Sequence, residues 1–269
     1  VRRAVVTGAS GGIGSAIAAR LADDGFAVTV GYHSAADKAL AVTDELAGEG
    51  HEALPISVTD PASLKAAADH LQELGPSIEV LVNCAGITKP VAHDDLDALD
   101  DDLIDRIFAT NWRGAFGAVR AFRPLLDAAA DGAVVVNISS VAAITGQGSN
   151  VAYCASKAAL DSMTRSLARA LGPQIRFVSV SPGWVLGEYA KKMPVEIIDA
   201  QRNETPLGRL ATPADVGAAV SAVSSNVESS NRRTSSPTPR RSSTFGSNGR
   251  RGKPATALSA RAFRRTPIR

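Results

Sequence analysis

Only two cysteines, Cys84 and Cys154, occur in 269 residues. Two thiols build no disulfide framework, and such scarcity fits the reducing cytoplasm. No apolar stretch approaches the roughly 18–20 residues needed to cross a bilayer, and no basic-then-apolar signal segment opens the sequence. No membrane partner is expected. The four histidines, His33, His51, His70 and His93, fall in unrelated segments without ligand spacing, so packing or surface roles are expected and no metal. No internal repeat is apparent. The acids Asp94, Asp95, Asp97 and Asp100–Asp102 read as a solvated run that caps the helix after it.

What is present is an ordinary globular balance, 45% apolar and 21% charged, in a chain long enough for a large core. The net charge of +2 hides a division. Residues 223–269 hold eleven of the 29 Lys/Arg but one of the 27 acids, Glu228, a balance of +10. The remainder, 18 basic against 26 acidic residues, stands at −8. The Ser/Arg/Pro-rich segment 223–269 cannot bury enough surface to offset its ordering entropy, which predicts disorder, with limited proteolysis clipping there first. Its abrupt onset inside a helical pattern, without a linker, points to a shifted reading frame rather than an evolved basic tail. A basic tail can serve nucleic acid, but the negative body offers no supporting surface, so no nucleic-acid partner is expected.

Residues 1–222 alternate short apolar runs with longer helical stretches. The runs are Ala4–Val6, Ala27–Tyr32, Ala53–Val58, Ile78–Val82, Ala133–Ile138 and Ile175–Val180. Most are continuously apolar, as in strands covered on both faces. Asp60-Pro61 reads as a cap and first turn of a helix that ends near Gly75-Pro76. Leu103–Leu126 has helical spacing, with Pro124 expected to bend or end it. The pattern predicts a single α/β domain, a doubly wound, Rossmann-like parallel sheet.

Three constellations carry chemistry. Thr7-Gly-Ala-Ser-Gly-Gly-Ile-Gly14 directly follows the first run; glycines there let the backbone approach a pyrophosphate at a helix N-terminus. Asn83-Cys-Ala-Gly86 and Ser139-Ser140 follow the fourth and fifth runs, at the strand ends where ligands gather in open α/β sheets. Tyr153 and Lys157 stand four apart on a helix, so a phenol and an ammonium share a face. The cation favours phenolate, making the phenol a usable acid/base. Cys84 and Cys154 sit within these motifs but read as small buried thiols.

These motifs, with Asn111, Pro182-Gly183 and Pro206–Val216, resemble the short-chain dehydrogenase/reductase family, of the single-domain type that includes the 3-oxoacyl-carrier-protein reductases. The likeness covers about residues 3–222. It implies an NAD(P)-dependent oxidoreductase, with residues 1–222 as its dinucleotide-binding catalytic domain. Tyr153 would be the proton donor or acceptor, Lys157 would lower the tyrosine pKa and hold the nicotinamide ribose, and Ser140 would hydrogen-bond the substrate oxygen. Asn111 would keep a water linking Lys157 to solvent. Gly8, Ser10, Gly11, Gly12, Ile13 and Gly14 would hold the pyrophosphate side of the cofactor. Tyr32, His33 and Ser34 would meet its adenosine ribose, and Asn83, Ala85, Gly86, Tyr153, Lys157, Pro182 and Gly183 the remainder.

Two features depart from relatives. Position 187 is Gly where many carry a threonine that bonds the nicotinamide amide. The final strand with its Gly-Gln and Asp-Gly-Gly signatures is missing or replaced after residue 222. The resemblance implies a homo-oligomer, yet subunits usually pair through that missing region. No acid ends the second strand, so NADP(H) is expected over NAD(H). Ala143–Asn150 and Trp184–Met193 should line a partly apolar pocket for a small carbonyl or alcohol substrate. The alternative to an active enzyme is a catalytically impaired, nucleotide-binding relative that acts as sensor or scaffold.

Overall fold

The apolar runs pair as strands, those in the middle of the sheet buried on both faces and the two edge runs, near Ala53 and Ile175, only in part. In the computed structural model, which describes residues 1–187, 190 and 193–225, they form one parallel sheet. Its strands are β1 (Arg3–Thr7), β2 (Ala27–Tyr32), β3 (Glu52–Pro55), β4 (Val80–Asn83), β5 (Ala133–Ile138) and β6 (Ile175–Val180). The order β3-β2-β1-β4-β5-β6 makes the chain step outward to β3 and then return to the other side of β1. The crevice therefore opens at the carboxyl ends of β1 and β4, the topological switch point. Where β4 was expected to begin at Ile78, the Ile78 N–H instead donates to Leu125 O at 3.1 Å, so the ladder starts two residues later.

Nine α-helices lie among the described residues: α1 (Gly12–Asp23), α2 (Ala36–Asp44), α3 (Pro61–Leu74), α4 (Asp101–Phe108), α5 (Ala115–Asp127), α6 (Ala142–Thr145), α7 (Val151–Leu171), α8 (Val195–Glu204) and α9 (Pro213–Ser225). Asp60 caps α3 by accepting from the Ala62 N–H at 2.9 Å, with Pro61 in the first turn and Gly75 at the end, as the sequence predicts. Asp100 caps α4 by accepting from the Leu103 N–H at 2.7 Å. The single helix expected over Leu103–Leu126 is divided by a π-helical turn, Ala109–Gly114. Pro124 does not stop α5, which continues to Asp127. So near the helix end, a proline costs one intrahelical bond and leaves the remaining turn intact.

Alternate strand residues feed two cores. Ala4, Val6, Val80, Val82, Val134 and Val136 pack with Ile17 and Leu21 of α1 and Val216 and Val220 of α9. Val5, Leu81 and Val135 face Leu64 and Leu71 of α3 and Phe122 and Leu126 of α5. Full burial of each large side chain contributes roughly 1.5–3 kcal/mol. The boundary drawn at 222 falls inside α9, which is helical to Ser225; the rest of the basic segment lies outside the described residues. Among the described residues no seventh strand joins β6, which stays at the sheet edge.

His51 accepts from the Val28 N–H at 3.0 Å and His70 pairs with Glu52 at 2.8 Å, both packing roles. Among the described residues no His/Cys/Asp/Glu group could hold a metal ion, and no helix is long and apolar enough to cross a membrane.

Candidate active site

The turn after β1 is shaped by what its glycines omit. Gly8 has φ +66°, and a Cβ there would lie 2.8 Å from Ala85 Cα. A Cβ on Gly14 would lie 2.8 Å from Ala9 Cα, so helix α1 starts directly against the turn. No side chain caps α1 and no acid stands in its first turn, which leaves its N–H groups and positive dipole end for an anion. Such a cradle fits the pyrophosphate of a dinucleotide. Thr7 fastens it: Oγ1 accepts from the Cys84 and Ala85 N–H groups at 3.1 and 3.2 Å.

One cavity of about 1190 Å³ gathers most of the candidate residues. Gly8, Gly11, Gly12, Ile13 and Gly14 line it at the turn; Ala85, Gly86, Pro182 and Gly183 line it along the strand ends. Ser140, Tyr153 and Lys157 line it as well. Ser10, Tyr32, His33 and Ser34 do not, although His33 and Ser34 stand exposed at the end of β2. Tyr32 is half-buried against the core on the α1 side.

The two asparagines sit behind the cavity wall. Asn83 is buried and donates to Asn137 Oδ1 at 2.8 Å, while Asn137 donates to Thr164 Oγ1 at 2.8 Å. Asn83 thus ties β4 to β5 and α7. Asn111, on the π-helical turn, accepts from the Ile87 N–H at 2.8 Å and donates to Ile87 O and Ser156 Oγ, each at 3.1 Å. A π turn in such a position commonly marks a functional site.

Helix α7 presents the reactive pair. Its Lys157 is 6% exposed; Nζ donates to Ile138 O at 2.7 Å and lies 5.7 Å from the Tyr153 ring centroid. Burial pushes the Lys157 pKa down to about 8, against the pull of neighbouring Cys84 and Asp161. Burial also pushes the Cys84 thiol up to about 11, against the pull of the Lys157 amine. Ser140 Oγ accepts from the Ala142 N–H at 3.2 Å, which leaves its own proton to donate.

The substrate side differs in part from expectation. Thr145, Gln147, Gly148 and Ser149 line the cavity, as do Trp184, Val185, Gly187 and Met193. Asn150 does not: it is fully buried and caps α7. Sequence reading missed the loop Ile87–His93 and the face Ile197, Gln201, Glu204 of α8. The α8 residues have helical i, i+4, i+7 spacing, a signal the sequence contains.

A dinucleotide cradle that shares its cavity with a Tyr–Lys pair defines a Rossmann-like oxidoreductase. The family model described as Enoyl-(Acyl carrier protein) reductase matches residues 8–230. The 3-oxoacyl-(acyl-carrier-protein) reductase FabG of Staphylococcus aureus is 31% identical over 228 residues, 84% of this chain and 91% of that protein. A cis-4-hydroxycyclohexanecarboxylate dehydrogenase of Sinomonas cyclohexanicum is 35% identical over 232 residues, 85% of this chain and 91% of that protein. A crystal structure of a dehydrogenase/reductase from Sinorhizobium meliloti superposes with a TM-score of 0.75 at 33% identity, covering 83% of this chain and 87% of that one. The chain belongs to the short-chain dehydrogenase/reductase family.

Proposed function

We propose that the protein transfers hydride between NADPH and a small, partly apolar ketone, or its alcohol in reverse, with Tyr153 as the acid/base. The carrying observation is the buried Lys157 amine beside the Tyr153 ring, in the same cavity as the uncapped start of α1. The dinucleotide, when bound, supplies the hydride. Ser140 donates to the carbonyl oxygen and orients it, Tyr153 delivers the proton to that oxygen, and the Lys157 ammonium stabilises the phenolate left behind. Asn111 holds the loop at Ile87 against α7 while this happens.

The substrate wall supports a partly apolar group: Val91, Ala92, Val141, Trp184, Met193 and Ile197 line it beside the polar Thr145, Gln147, Ser149, Gln201 and Glu204. Purified protein with NADPH and a panel of cyclic ketones, linear ketones and 3-oxoacyl thioesters, followed at the nicotinamide absorbance, tests the reading. Tight NADPH binding without turnover of any of them would instead support a nucleotide-binding sensor or scaffold.

The NADPH preference rests on the end of β2, where His33 and Ser34 are exposed and no acid repels a 2′-phosphate. His33→Asp is expected to lower efficiency with NADPH relative to NADH on the order of tenfold, through like-charge repulsion. Steady-state kinetics with both cofactors decides; a wild-type protein that works better with NADH defeats the preference.

A further inference from the structure

Loop residues 85–88 and 90–93 line one wall of the cavity, and this loop is stitched to α7 on both flanks of Tyr153. On the far flank, Ser156 accepts from Asn111, which also holds the N–H and carbonyl of Ile87. On the near flank stands Asn150, 0% exposed. Its Oδ1 accepts from the Tyr153 N–H at 2.6 Å, and its Nδ2 donates to Lys89 O at 2.8 Å and reaches Thr88 Oγ1 at 3.4 Å. Neighbouring bonds close the same seam: the Val91 N–H donates to Ser149 O at 2.8 Å, Thr88 and Ser149 join through their hydroxyls, and His93 Nε2 meets Gly148 O at 3.0 Å.

A helix cap needs only an acceptor, and Ser, Thr or Asp supplies one as well as Asn does. Only an amide adds a donor on the same planar group. At Asn150 that donor is spent on loop 85–93, so a single rigid amide spans from the backbone of Tyr153 to the backbone of Lys89.

We propose that Asn150 is a positioning residue for catalysis, setting the Tyr153 phenol against the ligand held by loop 85–93. The inference rests on Tyr153 being the acid/base. Displacement of a proton donor by a fraction of an ångström slows the proton-transfer step while leaving contacts to the distant pyrophosphate untouched.

The test is kinetic, with the full chain, NADPH and the best ketone from the panel. Asn150→Ser and Asn150→Asp keep a cap acceptor and lose the donation to Lys89. Each is expected to lower kcat at least tenfold, with NADPH affinity by fluorescence titration within about twofold of wild type. A cap that served folding alone would lower the melting temperature and leave kcat per folded molecule unchanged, and that result overturns the proposal. Thr88→Val covers the case in which both Asn150 variants fail to fold. It removes the loop's hydroxyl from the seam without touching the cap and is expected to lower kcat about threefold; an unchanged kcat counts against the proposal. Wild-type protein that reduces no ketone would defeat the acid/base reading itself, whereas active wild type with fully active variants defeats only the role of Asn150.

Discussion

Tyr153→Phe is expected to lower turnover by about a hundred- to ten-thousandfold while NADPH still binds with nearly wild-type affinity. The substitution deletes one oxygen and its proton and keeps the ring, so the wall it presents to the cavity and its contact with Lys157 persist. What disappears is the group that can give a proton to the carbonyl oxygen as hydride arrives, and general acid catalysis contributes a factor of that size. Cofactor contacts at the start of α1 lie on a different element and are unaffected. Single-turnover rates with saturating NADPH, set beside the cofactor dissociation constant, check both halves. A variant that keeps the wild-type rate removes Tyr153 from the chemistry; one that loses cofactor binding shows the hydroxyl to have a structural task.

Much of this site was legible because its chemistry depends on local spacing. Thr7–Gly14 reads as a strand-to-helix turn without reference to the rest of the chain, and Tyr153 and Lys157 share a face by helix geometry alone. β2, β5 and β6 appear at the bounds their apolar runs predict. The misses involve partners distant in sequence. Ile78 looks like strand until the end of α5 takes its N–H, and nothing between Leu103 and Leu126 announces that Asn111 will sit on a π turn braced against Ile87 and Ser156. Asn150 belongs to a polar, glycine-containing loop, and composition does not say which member of such a loop turns inward. Its burial is decided by carbonyl and hydroxyl groups at Lys89 and Thr88, about sixty residues away.

Lys157→Met is expected to remove most activity and, near pH 7, to make the protein slightly more stable. In the unfolded chain Lys157 titrates near its ordinary 10.5; in the fold burial holds it at about 8. The folded state therefore binds fewer protons between those values, so the penalty is full below pH 8 and fades as the pH rises towards 10.5. A displacement of that size corresponds to roughly 3 kcal/mol of destabilisation at neutral pH. Methionine avoids it with similar volume. It also leaves Ile138 O, which now accepts from Nζ at 2.7 Å, without that donor. A buried carbonyl deprived of its partner costs about 1–3 kcal/mol, so the net gain near pH 7 is about 1 kcal/mol, a few degrees of melting temperature. Above pH 10 the order should reverse, because the wild type no longer carries the penalty and the variant still lacks the hydrogen bond. Melting curves from pH 6 to 10.5 read this directly, and a Lys157→Met protein less stable than wild type by the same margin at every pH overturns it. Activity carries the complementary signal. In the wild type kcat/KM should bend downward above about pH 8, as the free enzyme loses the ammonium that favours phenolate at Tyr153. The fold thus holds a charge it would be more stable without, and in the proposed mechanism the group that gains from it is the phenol one helical turn away.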